Sequence, residues 1–269
     1  MRPLGLVDLP ACQRLAEDRD WGREDRKWRF LFAVGDGYGI DDENGELAGT
    51  VVSTPYGKDA AAISMVLVAK RHERRGLGGR LMRHAMENTE AATFCLTATE
   101  YGRPLYERLG FRSVGLCTTY KGEIKDPPKR EVSVPAEDAD MPAIVALDTE
   151  VFGADRSAMV LGLPFFCESF RVIRDGNGIA GFGGAWRADD RVMIGPVIAQ
   201  NTETALTLVN ELAPSGPVRI DVQDRHPELA SWAESHGLRP AFTTTIMEYG
   251  APLSGDPSRL YLAVAQALG

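Results

Sequence analysis

The sequence is poor in the residues that build metal centres and disulfide scaffolds, with four cysteines and four histidines in 269 residues. Cys12, Cys95, Cys117 and Cys167 form no C-x-x-C pair and stand beside no histidine pair at zinc spacing, so no metal site is expected. So few thiols in a chain of this length point to reduced cysteines and a cytoplasmic protein. Positive charge is also short: 30 Lys and Arg face 38 Asp and Glu, a net charge of −8. That argues against a nucleic-acid partner, whose phosphates reward basic proteins. It is compatible with a cationic substrate, although an acidic surface also serves solubility. No segment approaches the roughly 18 apolar residues of a membrane helix, and the opening MRPLGLVDLPACQRL lacks a basic stretch followed by an apolar run. No membrane partner is expected.

What is present is an ordinary globular composition, 44% hydrophobic and 25% charged, long enough for two medium domains with sizeable cores. The chain also repeats itself weakly. RPLGLVDLPACQRLAED near the start resembles VPAEDADMPAIVALDTE at 134–150. Each reads as a short strand, an Asp near a helix start, then Leu-Pro or Met-Pro opening an amphipathic helix, where proline's missing N–H is no loss. GELAGTVVS (45–53) parallels GNGIAGFGG (176–184), and YERLGFRSVGLCTTYKG (106–122) parallels AESHGLRPAFTTTIMEYG (233–250). The last pair is a helix end, a glycine stop and a β-branched strand. Three matches in order predict two domains of one topology, 1–124 and 132–250. The polar stretch at 125–131, with Pro127-Pro128, is the expected linker. The tail 251–269 reads as an Asp-capped, helical, amphipathic segment that packs back on the body or on a partner.

The run HERRGLGGRL (72–81) carries the chemistry. Before it, AAISMVLV (61–68) is an apolar run that predicts a buried strand. After it, Leu77, Leu81, Met82, Ala85 and Met86 follow helical spacing. Glycines and arginines therefore stand between a strand and a helix start, where unpaired N–H groups and the helix dipole favour an anion. A P-loop is excluded for want of G-x-x-x-x-G-K-[ST]. A dinucleotide fingerprint is excluded because the third small residue is misplaced and the motif lies deep in the domain.

VLVAKRHERRGLGGRLM resembles motif A of the GNAT superfamily of N-acetyltransferases, a strand, then [QR]-x-x-G-x-[GA], then a helix. Arg74, Arg75, Gly76, Leu77 and Gly78 match, and Glu73 stands where the family usually has Gln or Arg. ATEYGRPLYERLGF (98–111) resembles the family's late strand, helix and L-Y-E-x-x-G-F signature. The resemblance covers roughly residues 2–120, and the second half resembles the C-terminal domain of bacterial tandem GNAT proteins. It implies an α/β fold of two tandem domains, each a mostly antiparallel mixed sheet flanked by helices. It implies acetyl-CoA as co-substrate, its pyrophosphate held by the loop at Arg74 to Arg80, Gly79 included. Val66, Leu67 and Val68 lie in the strand that splays from its neighbour, where a backbone N–H of Leu67 or Val68 would polarise the thioester carbonyl. Tyr106 takes the place of the family's general acid, and Thr99 stands where many members have Asn. Arg103 is a further cofactor contact.

Acetyl transfer to an amine also calls for a base, since an amine of pKa about 10.4 is deprotonated in only about one molecule in 10³ at neutral pH. Glu100, just past the strand LTAT, is one candidate. Glu24 and Asp25, in a region between helices that usually lines the acceptor site, are two more. A water chain without a single base is a further alternative. His72, in the basic turn, reads as a surface residue, and Trp21, Trp28 and Phe30 read as structural. In the second half, RVMIGPVIAQNTETALTLV carries no G-x-G and no arginine pair, Asn201 or Thr202 would only cap a helix, and Ala233 replaces Tyr106. This half is expected to be catalytically degenerate and to shape the acceptor pocket or an interface. The expected acceptor is a small-molecule or peptide amine; the competing reading is a non-catalytic acyl-CoA-binding sensor or regulatory module. A tandem pair within one chain favours a monomer as a pseudo-dimer, and a homodimer stays open.

Overall fold

The computed structural model describes residues 1–127 and 132–269. The first half runs β1 (Arg2–Leu4), α1 (Leu9–Asp18), α2 (Asp25–Val34), β2 (Asp36–Asp41), β3 (Leu47–Tyr56), β4 (Ala60–Val68), α3 (Leu77–Glu87), β5 (Thr93–Ala98), α4 (Arg103–Arg108) and β6 (Arg112–Ile124). The second repeats the order as β7 (Val134–Pro135), α5 (Met141–Phe152), α6 (Ser157–Phe166), β8 (Ser169–Asp175), β9 (Gly178–Ala188), β10 (Arg191–Ala199), α7 (Thr202–Leu212), β11 (Gly216–Gln223), α8 (Pro227–Ser235) and β12 (Leu238–Gly250).

The repeat seen in the sequence is a repeat of local bonding. Asp8 accepts the Gly5 N–H at 3.0 Å and pairs with Arg2, and Asp140 accepts the Glu137 N–H at 2.8 Å and pairs with Arg174. Each carboxylate closes the turn that feeds a helix whose first turn holds a proline.

Among the described residues thirteen strands, the last being β13 (Leu260–Leu262), form one sheet in the order β1-β2-β3-β4-β5-β12-β6-β11-β13-β10-β9-β8-β7. The last strands of the halves are exchanged. β12 lies between β5 and β6, and β6 lies between β12 and β11. The β6–β12 join, Leu238↔Gly122 through Glu248↔Arg112, has more register pairs than any other ladder among the described residues. The boundaries 1–124 and 132–250 therefore run through a shared centre, each half lending its final strand to the other. Of the linker expected at 125–131, residues 128–131 lie outside the described residues.

The tail also departs from expectation. Residues 251–269 hold no α-helix but a single 3-10 turn, Pro257–Arg259, capped by Asp256, and then β13 (Leu260–Leu262). β13 pairs antiparallel with both β10 and β11. The capping Asp was legible; the strand was not, because its backbone partners come from strands remote in sequence.

Three apolar clusters follow from this layout. One fills the space between the halves with Trp28 and Leu31 of α2, Ile144 of α5, Leu163 of α6 and Trp186 of β9. The others lie under α3 and α4 and under α7 and α8. Trp28 is fully buried, and Phe30 stacks on Phe166 at 4.3 Å, so both are core residues. Arg156 lies in the central layer, bidentate to Asp148 at 2.9 and 2.7 Å, over the Phe152 ring at 3.9 Å, and 3.0 Å from the Gly269 carbonyl oxygen. Tyr56 of the first half donates to the Leu268 carbonyl at 2.6 Å.

Removing one partner of a fully buried ion pair leaves an uncompensated charge. Arg156→Met is expected to lower the unfolding free energy by about 3–5 kcal/mol in a denaturant titration; a loss below about 1 kcal/mol would show that the pair does not fasten the tail.

Candidate active site

β4 and β5 run parallel for only three register pairs, Ala60↔Thr93 to Ala62↔Cys95. Beyond Ala62 they part. The separation coincides with a bulge: Val52 pairs with Ser64 but Thr50 with Leu67, so β4 carries an extra residue opposite Val51. Met65 takes the strain with φ +49°, and Thr50 Oγ1 donates to its carbonyl at 2.8 Å. The Ala69 N–H bonds the Ala48 carbonyl at 2.9 Å. The alternation of an antiparallel ladder then turns the Leu67 N–H toward β3 and those of Val66 and Val68 toward the gap. Of the two amides expected to meet an acyl carbonyl, Val68 has the required direction, and Leu67 is committed to the sheet.

The glycine loop opens α3 at the end of β4. Gly76 is the residue before the helix, at φ +75°, with nothing within 4 Å of where a Cβ would stand. This left-handed turn lays the first N–H groups of α3 open at the surface. Gly78 has a second reason to be small: a Cβ there would meet Leu105 of α4 at 3.0 Å. Arg74, Arg75 and Arg80 are exposed and make no ion pair among the described residues. Free arginines around open helix N–H groups fit a pyrophosphate. Glu73 is bound instead to Arg19, which lies over the Tyr101 ring at 5.2 Å. The family departure at Glu73 thus ties the loop to the end of α1 rather than lining the cradle.

Tyr106 sits on α4 with its ring buried beside Phe111. The ring tip lies against Gly102 at the start of α4, next to Thr99 Oγ1. Burial pushes its hydroxyl well above the ordinary phenol value, so it stays protonated at neutral pH. Thr99 accepts the Gly102 and Arg103 N–H groups on its carbonyl, at 3.0 and 2.9 Å, and so fixes the turn that carries Tyr106. Arg103 lies on the surface and pairs with Glu107 at 2.7 Å, one helical turn along.

The gap opens into a cavity of about 600 Å³ between the halves. The first half supplies Ser64 and Met65 at the bulge, Thr97, Thr99 and Glu100 at the end of β5, and Trp21, Gly22, Glu24 and Lys27 before and in α2. The second half supplies the β9–β10 turn at Asp189, Arg219 of β11, Phe242 of β12 and Gln266 of the tail. Ser64 Oγ is buried without a hydrogen-bond partner among the described residues. An unpaired buried hydroxyl on a cavity wall is a group prepared for a ligand or a water.

The three base candidates separate. Glu100 lines the cavity, exposed and without an ion pair among the described residues. Glu24 also lines it but is bound to Lys27 and lies 4.0 Å from Arg219. Burial alone would push its carboxyl up; the Lys27 charge and hydrogen bond, with the charges of Arg219 and Lys121, hold it net below the ordinary value. Asp25 does not join them. It faces away, paired with Arg29 at 2.6 Å and accepting from Gln13 at 3.0 Å. His72 is engaged with Asp42 at 3.0 Å, away from the cavity.

In the second half the same gap is closed. β10 and β11 pair in parallel only at Val192↔Val218 and Met193↔Arg219 before they part, and β13 occupies the space between them. Trp186 Nε1 donates to the Val264 carbonyl at 2.9 Å and holds the tail there. Asn201 caps α7 by accepting the Thr204 N–H at 2.9 Å, and Ala233 is buried in α8. The strand plug is a difference between the halves that their residue-by-residue comparison could not provide.

Comparison with known proteins agrees with this geometry. Residues 6–111 match the acetyltransferase (GNAT) family, and residues 144–262 match an acetyltransferase (GNAT) domain. The chain is 26% identical over 257 residues to YitH of Bacillus subtilis (strain 168), described as an uncharacterized N-acetyltransferase, covering 93% of this chain and 90% of that one. In fold it is similar to a Pyrococcus horikoshii protein assigned to the acetyltransferases (TM-score 0.83, 18% identity, 100% and 95% of the two chains). It is also similar to a tandem GNAT protein from the clavulanic acid biosynthesis pathway (TM-score 0.63, 14% identity, 93% and 98%).

The lowered Glu24 carboxyl makes a pH prediction. A depressed folded-state pKa stabilises above the unfolded value and is lost as pH falls through the folded value. Glu24→Gln is expected to be less stable than the native protein at pH 7 in urea, with the difference closing below pH 4.5, the ordinary value for a Glu carboxyl. A difference independent of pH would mean that Glu24 is not held as a paired carboxylate.

Proposed function

The chain belongs to the GNAT superfamily in its tandem form, and on that premise we propose that it transfers the acetyl group of acetyl-CoA to a primary amine of a small molecule or peptide. Transfer is by direct attack within a ternary complex. The observation that carries this reading is the continuity of three features: the arginine-flanked helix start, the gap between β4 and β5, and the cavity beyond the gap.

Acetyl-CoA, when bound, supplies an activated acyl group and a thiolate leaving group. The N–H groups that open α3, with Arg74, Arg75 and Arg80, hold the pyrophosphate. The Val68 N–H donates to the acyl oxygen; such a donor is worth about 3 kcal/mol where charge develops. Glu100 receives the proton that the attacking amine gives up, directly or through a water. Tyr106, protonated by burial, offers its hydroxyl proton to the departing sulfur. The second half contributes walls, not a second reaction centre. The alternative of a non-catalytic acyl-CoA-binding sensor or regulatory module leaves Glu100 on the cavity wall and the buried Tyr106 hydroxyl without a role, and the net acidic charge fits a cytoplasmic enzyme.

Calorimetric titration with acetyl-CoA tests the reading. One site per chain is expected, and the double variant Arg75→Glu/Arg80→Glu is expected to weaken it at least about tenfold, since both side chains are exposed and their charge reversal leaves packing intact. No binding by the folded protein would overturn the proposal, and two sites per chain would overturn the assignment of the second half.

A further inference from the structure

The cavity holds a charge that the transfer mechanism does not use. Lys121 of β6 lies directly across from Arg219 of β11 on one side and Arg239 of β12 on the other. Like charges opposite one another on a sheet destabilise it. Arg219 has an answer: its Nε and Nη2 donate to Asp221 at 2.9 and 2.8 Å, and Asp221 is fixed by Thr119 Oγ1 at 2.6 Å. That bond uses one edge of the guanidinium; Nη1 lies 4.0 Å from Glu24 Oε1, beyond hydrogen-bond distance, and keeps its donors for the cavity. Lys121 has no carboxylate partner among the described residues. Its ammonium lies over the Phe242 ring at 5.4 Å, and the Arg219 guanidinium lies over the same ring at 5.7 Å. Two cations thus converge on one aromatic ring of the cavity wall. Burial, then Arg219 and Arg191, pull the Lys121 pKa down, which is the electrostatic mark of a cation short of an anion. Most of the neighbouring carboxylates are engaged: Glu24 with Lys27, Asp190 with Arg191, Asp221 with Arg219. Glu100, on the β5 side, has no cationic partner among the described residues, and Asp189, at the β9–β10 turn, is held only by the Glu24 N–H at 3.0 Å.

We propose that Lys121 and Arg219 form an anion subsite that selects acceptors carrying an acidic group, a carboxylate or a phosphate ester, besides the amine to be acetylated. The subsite rests on the transferase reading of the cavity. It divides the cavity by charge, with Glu100 near the gap for the amine and the Lys121–Arg219 pair on the floor, supplied by strands from both halves, for the acid. An amino acid or an amino-alcohol phosphate has this pattern; a plain alkylamine lacks the second pole. The net acidic charge of the chain hides the preference, because the cations that matter are few and are gathered on one wall.

The test compares matched acceptors by thiol release from acetyl-CoA: each α-amino acid beside its decarboxylated amine, and phosphoethanolamine beside ethanolamine. The expected result is a kcat/KM at least about tenfold higher for the acidic member of a pair, the scale of a charge-assisted hydrogen bond. Lys121→Met is expected to bring that ratio close to one, and Lys121→Glu to invert it, with circular dichroism and the melting temperature reporting that both fold. The carboxylate and phosphate pairs tell the two anions apart. A native ratio near one, or a ratio that Lys121→Met leaves unaltered, would overturn the subsite while leaving the transferase reading in place. If acetyl-CoA binds but no amine turns over, the transferase reading fails. Calorimetry of N-acetyl amino acids against N-acetyl alkylamines on the CoA-loaded protein then decides the subsite: selective binding lost in Lys121→Met supports it, and equal binding overturns it.

Discussion

The exchange of β6 and β12 is the constraint on which the rest of the structure depends. Neither strand pairs mainly within its own half. β6 bonds to β11 from Cys117 to Ile124, and β12 bonds to β5 from Thr93 to Ala98. Every one of these pairings joins residues more than ninety positions apart along the chain. The halves therefore cannot part without breaking the sheet at its centre. The cavity lies at this join, so its walls come from both halves by construction.

The same arrangement leaves one open gap and not two. Both halves have parallel strands that diverge after a few pairs, and both diverging strands carry an irregular register against their outer neighbour. In the first half the opening leads to the arginine-flanked helix start. In the second it holds β13, and the helix beyond it begins at Asn201, whose side chain satisfies the N–H that an anion would otherwise bind. The second half retains the frame and contributes the floor and far wall of the cavity, with Arg219, Asp189 and Phe242. Asp189, at the β9–β10 turn, accepts the Glu24 N–H at 3.0 Å and clamps the segment before α2 to the second half.

Much of this was legible in the sequence because it rests on local physics. The Asp-Leu-Pro and Asp-Met-Pro helix starts, the Gly76 turn and the helical stripe from Leu77 to Met86 are each set by residues within one or two turns of each other. The repeat was legible for the same reason. What was not legible depends on distant pairing. Nothing in LYLAV marks it as a strand between β10 and β11, and nothing in the alternation of β6 or β12 says which neighbour each will take. Charged residues were the least legible. Glu24, Asp25 and Glu100 look alike on paper, and they differ because Lys27, Arg29 and open space respectively stand beside them. Lys121 carried no signal by itself; its significance appears only when the register sets it against Arg219 and Arg239.

The central claim is that the two halves make one folding unit and one site through the exchanged strands. The measurement that tests it most directly is to cut the chain between residues 127 and 128, in the connection from β6 to β7, and to produce the two pieces separately and together. The account predicts that neither piece alone unfolds cooperatively or binds acetyl-CoA, and that together they form a one-to-one complex that does both. A first piece that folds as a monomer and binds acetyl-CoA as tightly as the whole chain would contradict it.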